Sequence, residues 1–414
     1  MKILHLMPHL GGGVGKAHSA LRHAASGGIE HHYLLLEEPR DRRFVEQIEA
    51  LGSTVDVCLD RSSIEAHVAA ADIVQIEWWN HPLLYRLLSK PLPEARYVFW
   101  VHISGLNAPY YPPGLIERSS RFVYTSSCSL DWDGLSGLPA QVRDRLAVIG
   151  SGFGFDPLSL SSTYQKSQVT YLGTVDFVKM HPELFAIIDG CPEDCHVTLY
   201  GAFDAEGEPV RAWRAMRHPE RVTFAGQIAD PRAVLEQTAI FLYPLRPDHY
   251  GTAENALIEA MSVGAVPLVM ANPAEMAIVR HGVNGVVAAD PADAAAKLAD
   301  LLRHREQLAP MSMAAMQDAA SLYTPTRSAR LFQDLYRDVM TTPKIAPDFA
   351  SVIGSEPLQW FLSTQFPDGR ATGDLRLSRT GSSSKGSLDH FLAVFPDDEG
   401  LLSLRPTTQP GAYP

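Results

Sequence analysis

The residues with the clearest chemical potential lie in the stretch 250–270, YGTAENALIEAMSVGAVPLVM. Thr252, Asn255 and Glu259 are spaced by three and four residues, which places them on one face of a helix. Apolar residues at helical spacing surround them, a glycine follows as a stop, and 266–270 is typical of a buried strand. The pattern predicts a loop, a helix and a strand, with polar side chains in line along the helix.

This arrangement suits a nucleotide sugar. A helix N-terminus behind a glycine loop offers unpaired N–H groups and partial positive charge to a diphosphate. Glu259, two turns further on, can accept hydrogen bonds from two adjacent ribose hydroxyls, with a gain of roughly 1.5–3 kcal/mol. An isolated Glu more often bonds to solvent or a backbone amide, but the helix tip favours the ligand. The backbone amides around Gly251, Thr252 and Ala253 are predicted to bind the diphosphate, and Asn255 is a further predicted substrate-binding residue.

Glu259-Ala-Met, followed by Gly264-Ala-Val-Pro-Leu-Val, resembles the nucleotide-binding motif of the family-4 retaining glycosyltransferases. That family carries a further Glu beside the transferred sugar, at the position where this chain has Gly251. Asp248 and Glu254 are the candidate replacements. We favour Glu254, which we place in the first helical turn, although its charge would also suit a residue that only counters the helix dipole.

The resemblance extends to the cations that hold the donor diphosphate. In Tyr171-Leu-Gly-Thr-Val-Asp-Phe-Val-Lys179, Lys179 matches the family's lysine, while Thr174 stands where the family has Arg. A lysine is a point charge and does not replace the bidentate fork of an arginine. Arg246 and His249, in the loop before the key helix, are candidates to compensate.

A glycine loop in the first half of the chain is expected to face the same ligand. Residues 10–16, LGGGVGK, separate a first strand from a helix that we predict to begin near Ala17. The loop is not a P-loop, since Leu10 and Ala17 stand where that motif requires Gly and Ser or Thr. The resemblance implies that Gly12 and Gly13 face donor phosphate and acceptor, although a tight turn without a ligand would look the same.

His102 follows an apolar strand, and the carboxyl ends of parallel strands open onto the ligand crevice. The resemblance implies that this histidine contacts the transferred sugar. Glu77, Asn80 and His81 end another strand, and we assign them loosely to the acceptor side.

The apolar runs predict an α/β protein of GT-B architecture: two doubly wound, Rossmann-like domains that face each other across a cleft. The predicted domains are 1–160 on the acceptor side, 161–340 for the nucleotide sugar, and a partly ordered C-terminal extension, 341–414. The predicted strands lie near 2–7, 31–36, 54–59, 73–77, 96–102, 121–125 and 147–149, then near 168–172, 196–200, 221–224, 239–243, 266–270 and 285–287.

Composition sets further bounds. A net charge of −12 disfavours nucleic acid as a partner, and no apolar run reaches the roughly 18 residues of a membrane span. The start of the chain does not read as a signal peptide, so we expect a cytoplasmic protein with its four cysteines reduced. We expect no cofactor and no metal, because the one Asp-x-Asp pair, Asp131-Trp-Asp133, falls in the first domain.

The sequence therefore predicts a hexosyltransferase of carbohydrate biosynthesis that retains anomeric configuration, as the resemblance implies. Its substrates would be a nucleotide sugar and an acceptor hydroxyl of a glycan, glycolipid or small molecule. Glu254, His102 and Lys179 are the predicted catalytic residues. The alternatives are a GT-B epimerase or phosphorylase, or a non-catalytic protein that binds a nucleotide or glycan.

Overall fold

The computed structural model describes residues 1–25, 27–58, 60–152, 166–366 and 385–405. Two parallel sheets dominate this part of the chain, one of seven strands and one of six. Their strands are continuous apolar runs because helices cover both faces of each sheet. The predicted α/β class is confirmed.

The first sheet has the order β3-β2-β1-β4-β5-β6-β7, with every pair parallel. Its strands are β1 Lys2–Met7, β2 Glu30–Leu35, β3 Thr54–Val57, β4 Ile73–Trp78, β5 Tyr97–Val101, β6 Arg121–Tyr124 and β7 Leu146–Val148. The helices of this half are α1 Gly12–Ala24, α2 Arg43–Ala50, α3 Arg61–Ala70, α4 Pro82–Leu88, α5 Gly114–Glu117 and α6 Ala140–Arg143.

The second sheet has the order β10-β9-β8-β11-β12-β13. Its strands are β8 Gln168–Leu172, β9 Val197–Tyr200, β10 Val222–Gly226, β11 Thr238–Tyr243, β12 Val266–Met270 and β13 Val286–Ala288. The helices are α7 Leu184–Gly190, α8 Glu208–Arg214, α9 Pro231–Gln237, α10 Asn255–Ser262, α11 Pro273–Met276, α12 Pro291–Arg303 and α13 Leu308–Leu322. Each sheet carries its own apolar core.

The C-terminal part of the chain returns to the first sheet. Helix α14, Pro325–Met340, packs Phe332 and Tyr336 into a cluster with residues of β1 and β5. Four short helices follow and contribute apolar side chains to the core of the first sheet: α15 Ala350–Ile353, α16 Pro357–Ser363, α17 Leu388–Val394 and α18 Glu399–Ser403. The described part of the extension is thus joined to the first domain. The boundary predicted between the two domains, at 160–161, lies outside the described residues.

Two helix starts differ from the prediction. Helix α1 begins at Gly12 and not near Ala17, so the glycines form its first turn. A Cβ at Gly15 would lie 2.2 Å from the Leu10 carbonyl oxygen, so this turn needs glycine for close packing. Helix α10 begins at Asn255, and Glu254 precedes it in the left-handed region, with φ 38°. Thr252 is therefore a loop residue, not part of a helical stripe.

No helix in the described ranges is both long enough and apolar enough to span a membrane. All four cysteines are buried and free.

Candidate functional site

The two domains meet where the glycine turn of α1 approaches the N-terminus of α10. A Cβ at Gly13 would lie 3.2 Å from Asn255 Nδ2, so the backbone here passes close to the helix tip. Lys16, one turn into α1, forms an ion pair with the nearly buried Glu259 of α10. Among the described residues, none bonds to the buried Asn255 Oδ1. The fold thus brings four predicted or motif residues to one cleft.

The loop before α10 is anchored on the first domain. Thr125, after β6, donates from Oγ1 to Thr252 Oγ1 at 3.2 Å. The backbone N–H of Ser104, in the loop after β5, donates to the Tyr250 carbonyl oxygen at 3.1 Å. Ala253 is partly buried in this loop. Across the cleft, Gly12 is exposed, with φ 57°.

Glu254 lies at the centre of the site as a buried carboxylate. Lys179 Nζ is 2.8 Å from Glu254 Oε2, and the Tyr243 hydroxyl donates to the same oxygen at 3.1 Å. Burial lowers the pKa of Lys179, but Glu254 outweighs it, so the pKa lies above its ordinary value. Burial likewise raises the pKa of Glu254, and Lys179 reverses the shift. The pair is therefore ionised at neutral pH.

Gly251 leaves room for that carboxylate. A Cβ at this position would lie 2.1 Å from Glu254 Oε1, 2.7 Å from His249 Nδ1 and 2.9 Å from Lys179 Cε. The Glu254 side chain thus occupies the space that a side chain at position 251 would need. Among the described residues, none donates a hydrogen bond to Glu254 Oε1.

His249 supports the loop through both of its ring nitrogens. Its Nδ1 accepts from the Gly251 N–H at 3.0 Å, so its proton is on Nε2, which lies 3.1 Å from Glu275 Oε2. Asn272 donates to the other Glu275 oxygen at 3.0 Å. Glu275 lies in the first turn of α11 and is fully buried as part of this support.

Arg246 is a candidate to compensate for the missing arginine, and Thr174 stands in the place of that arginine. Arg246 pairs with the exposed Asp248 and donates from Nη1 to the Phe177 carbonyl oxygen at 2.9 Å, so its charge is already balanced. Thr174 is exposed after β8. Asp248, the other candidate acid, contacts Arg246 on the surface, whereas Glu254 is buried against Lys179.

His102 directly follows β5, and a contact with Glu77 fixes the orientation of its ring. Its Nε2 is 2.8 Å from Oε2 of Glu77, a residue that we had assigned to the acceptor side but that is fully buried. Burial lowers the pKa of His102 despite Glu77, so the neutral imidazole is favoured. Asn80 is structural: its side chain donates to the Tyr110 carbonyl oxygen at 2.6 Å.

A cavity of about 630 Å³ lies beside the glycine turn, and Glu37 and Lys385 are among its polar residues that the sequence analysis did not name. Glu37, after β2, faces His9 and His81, whose Nε2 atoms lie 3.8 and 3.5 Å from its Oε1. Lys385, from the C-terminal extension, lies over the Trp79 ring. Burial, with a smaller contribution from the Lys179 charge, lowers the pKa of Lys385 to about 8.

Sequence reasoning missed these residues for different reasons. Glu37 follows a strand whose end carries no motif, and Lys385 follows a Ser-rich segment that predicted only a flexible link. Lys16 closes the glycine motif, and its position next to that motif was the available signal.

Residues 166–304 match the sequence model of the family described as glycosyl transferases group 1. This segment contains β8 to β13, and hence Lys179, Glu254 and Glu259. No curated protein matches the chain significantly.

Several solved structures share the fold. Anabaena HepE, in complex with UDP and glucose, has a TM-score of 0.63 and 15% identity, covering 82% of this chain and 100% of its own. A glycosyltransferase from Rickettsia africae has a TM-score of 0.65 and 11% identity, covering 82% and 99%. Sucrose-phosphate synthase from Thermosynechococcus elongatus has a TM-score of 0.57 and 15% identity, covering 82% and 99%. The predicted GT-B architecture is confirmed.

Proposed function

We propose that this chain, a GT-B protein with the second domain of a group 1 glycosyltransferase, transfers a sugar from a nucleoside diphosphate sugar to an acceptor hydroxyl. The observation that carries the proposal is the interdomain site at α10. Two carboxylates of one motif each face a lysine there: Glu254 faces Lys179, and Glu259 faces Lys16. A ligand with hydroxyl and phosphate groups suits this site, because carboxylates can bind the hydroxyls and lysines can bind the phosphates.

The donor is best accommodated along α10. Its diphosphate would lie at the N-terminus of the helix, where backbone N–H groups and Lys179 stabilise negative charge. Its ribose would bond to Glu259 in exchange for the contact with Lys16. We favour a uridine donor because Anabaena HepE binds UDP and UDP-glucose with the same fold.

The donor site is tested by thermal unfolding with UDP, GDP, ADP and their sugar conjugates. One nucleotide series should stabilise the wild type, since a ligand at 100 times its Kd adds roughly 2.7 kcal/mol to the free energy of unfolding. Glu259→Ala should lose that shift together with turnover, because it removes the ribose contact. Glu206→Ala is the control, as this side chain is 81% exposed. An unchanged shift in Glu259→Ala would contradict the ribose assignment.

The chemistry that we propose is electrostatic. As the bond between sugar and diphosphate breaks, negative charge grows on the leaving group, and preorganised cations stabilise it. Lys179 lies close enough to Glu254 to serve the diphosphate while Glu254 faces the sugar. His102, neutral and fixed by Glu77, would accept or donate a hydrogen bond to the transferred sugar. We propose that transfer is of a hexosyl group, retains configuration, needs no metal at the diphosphate, and is cytoplasmic.

The acceptor would occupy the cavity beside the glycine turn. His81 lines this cavity, together with Glu37 and the extension residue Lys385. The ring nitrogens Nδ1 of His9 and His81 accept from backbone N–H groups at 3.0 and 3.3 Å, so both rings present Nε2–H towards Glu37. Burial raises the pKa of Glu37, but His81 and His9 hold it below its usual value. An ionised carboxylate in this cavity would orient acceptor hydroxyls.

Glu37→Gln should lower transfer about tenfold at subsaturating acceptor, because a hydrogen bond to a charged group contributes roughly 1.5–3 kcal/mol. UDP binding and slow hydrolysis of the sugar donor should not change, since Glu37 lies outside the donor site. Product formation and donor hydrolysis are measured side by side, with Glu46→Gln on the exposed face of α2 as the matched control. Equal loss of both activities would show that Glu37 does not act on the acceptor.

The second candidate function is a binding protein without catalysis. The observation that favours it is that Gly251 and Thr174 replace two residues of the family motif. Nucleotide binding with neither transfer nor donor hydrolysis would support this candidate.

A further inference from the structure

A second polar cluster lies within the first domain, behind His102. Glu77 of β4 is enclosed between His5 of β1 and His18 of α1, and all three side chains are at most 3% exposed. Glu77 Oε1 is 3.1 Å from His18 Nε2 and 3.8 Å from His5 Nδ1. Nothing in the donor or acceptor assignments uses His5 or His18.

The two imidazole nitrogens lack hydrogen bonds. Among the described residues, neither His5 Nδ1 nor His18 Nε2 has a partner of acceptable geometry, although both are inaccessible to solvent. Buried polar atoms are nearly always satisfied, so each exception needs an explanation. Here the two unsatisfied nitrogens converge on one carboxylate oxygen.

The carboxylate lacks a fixed positive charge. Within the described part of the chain, the ion-pair partners of Glu77 are three histidines, with no Lys or Arg. A buried ionised carboxylate needs a cation nearby or a metal. A metal ion between these three atoms would supply the charge and satisfy both nitrogens.

The distances suit a small divalent ion. Zinc binds nitrogen and oxygen ligands at about 2.0–2.1 Å in tetrahedral sites, which separates ligand atoms by about 3.3 Å. The values of 3.1 and 3.8 Å bracket that separation. A cavity of about 30 Å³ borders His5 and His18 and has room for a water molecule as fourth ligand.

Neighbouring residues hydrogen-bond to the side chains of the cluster, in the way that residues outside the coordination sphere orient the ligands of metal sites. His5 Nε2 is 2.8 Å from His31 Nδ1, a contact that fixes the ring. Gln75 donates to Glu77 Oε1 at 2.7 Å, and His102 Nε2 lies 2.8 Å from Oε2. The cluster thus connects β1, α1 and β4 to the histidine at the cleft.

Two other groups of histidines and a carboxylate fit a metal less well. In the group of His9, Glu37 and His81, both rings carry their proton on the nitrogen that faces the carboxylate, because their Nδ1 atoms accept backbone hydrogen bonds. In the group of His32, Asp56 and His67, the Asp56 side chain is 48% exposed.

We propose that His5, His18 and Glu77 bind a divalent transition-metal ion. Their donor set of two imidazoles and one carboxylate favours zinc. The ion would join α1, which carries the glycine turn, to β1 and β4. Through Glu77 it would also hold the ring of His102. The site is separate from the donor cleft, and the proposal does not rest on glycosyl transfer.

The test is the metal content of the purified full-length chain after dialysis with and without EDTA. We expect about one zinc per chain before chelation, with His18→Ala and His5→Ala each below about 0.1. His67→Ala, in the exposed histidine group, is the control and should keep its zinc. Because a core variant can fail to fold, the chelated wild type is also titrated with Co²⁺, which should produce the visible absorption of a four-coordinate site.

Two results would overturn the proposal. Zinc that is retained in His18→Ala but lost in His67→Ala would place the metal at the surface and overturn the proposal. A wild type without zinc, whose Tm and Co²⁺ spectrum do not respond to added metal, would show that the cluster binds no metal and would overturn the proposal. Nucleotide binding, measured in the same samples, tests the proposed function independently.

Discussion

Glu254→Gln should lower kcat by about 10²–10³-fold while changing the Kd for UDP by less than about threefold. In the proposed arrangement the carboxylate would face the transferred sugar, where charge develops during reaction, and the nucleotide would be bound by other residues, along α10. Gln has nearly the same shape, and Lys179 is 31% exposed, so water can solvate the lysine that loses its partner. Steady-state kinetics and calorimetric binding of UDP measure the two quantities.

Two comparisons make this result specific. Asp248→Asn removes the other candidate acid, which is 59% exposed and paired with Arg246, so turnover should stay within about threefold of wild type. Thermal unfolding of Glu254→Gln checks that the loss is not one of folding. If Glu254→Gln keeps more than about a third of wild-type kcat, or Asp248→Asn is the damaging variant, Glu254 is not the catalytic carboxylate.

Gly251→Glu should inactivate the protein, although it restores the residue that the family motif carries at this position. The Cβ alone would lie 2.1 Å from Glu254 Oε1. Overpacking of this kind costs roughly 1–3 kcal/mol, and a second carboxylate beside Glu254 adds like-charge repulsion. We expect turnover below about 1% of wild type, with a lowered Tm.

The double variant Gly251→Glu with Glu254→Gly is the informative partner. Glycine accepts the left-handed conformation of position 254 and vacates the space, so part of the lost turnover and Tm should return. Gly137→Ala is the control, since a Cβ there would meet nothing within 4 Å. A single Gly251→Glu variant with wild-type turnover would refute the view that Glu254 occupies this space.

Much of the fold could be read from local patterns. Strands such as β5 and β12 are unbroken apolar runs, and a strand covered on both faces requires such runs. The position of the motif could also be predicted from a short stretch of sequence. Glu259 was predicted on the key helix, and the helix starting at Asn255 contains it. Boundaries were less well determined, since the glycines of α1 read as a loop and form the first helical turn.

The arrangement of the candidate site was not local. Glu254 was one of two candidate acids in the sequence, and its burial against Lys179, 75 residues away, distinguishes it from Asp248. The contact of Lys16 with Glu259 spans 243 residues. Neither pairing changes any periodicity or local propensity, so no pattern within a short stretch of chain contains it.

The sequence by itself determined the two series of strands and helices, the nucleotide-sugar motif and the identity of most side chains at the cleft. The tertiary structure decided which acid fills the space at Gly251, and that the C-terminal extension brings Lys385 to the cavity beside Glu37. The physical reason is that hydrophobic periodicity acts within each element. Charge pairing and steric exclusion act between elements, and they are determined only when those elements are packed together in the folded chain.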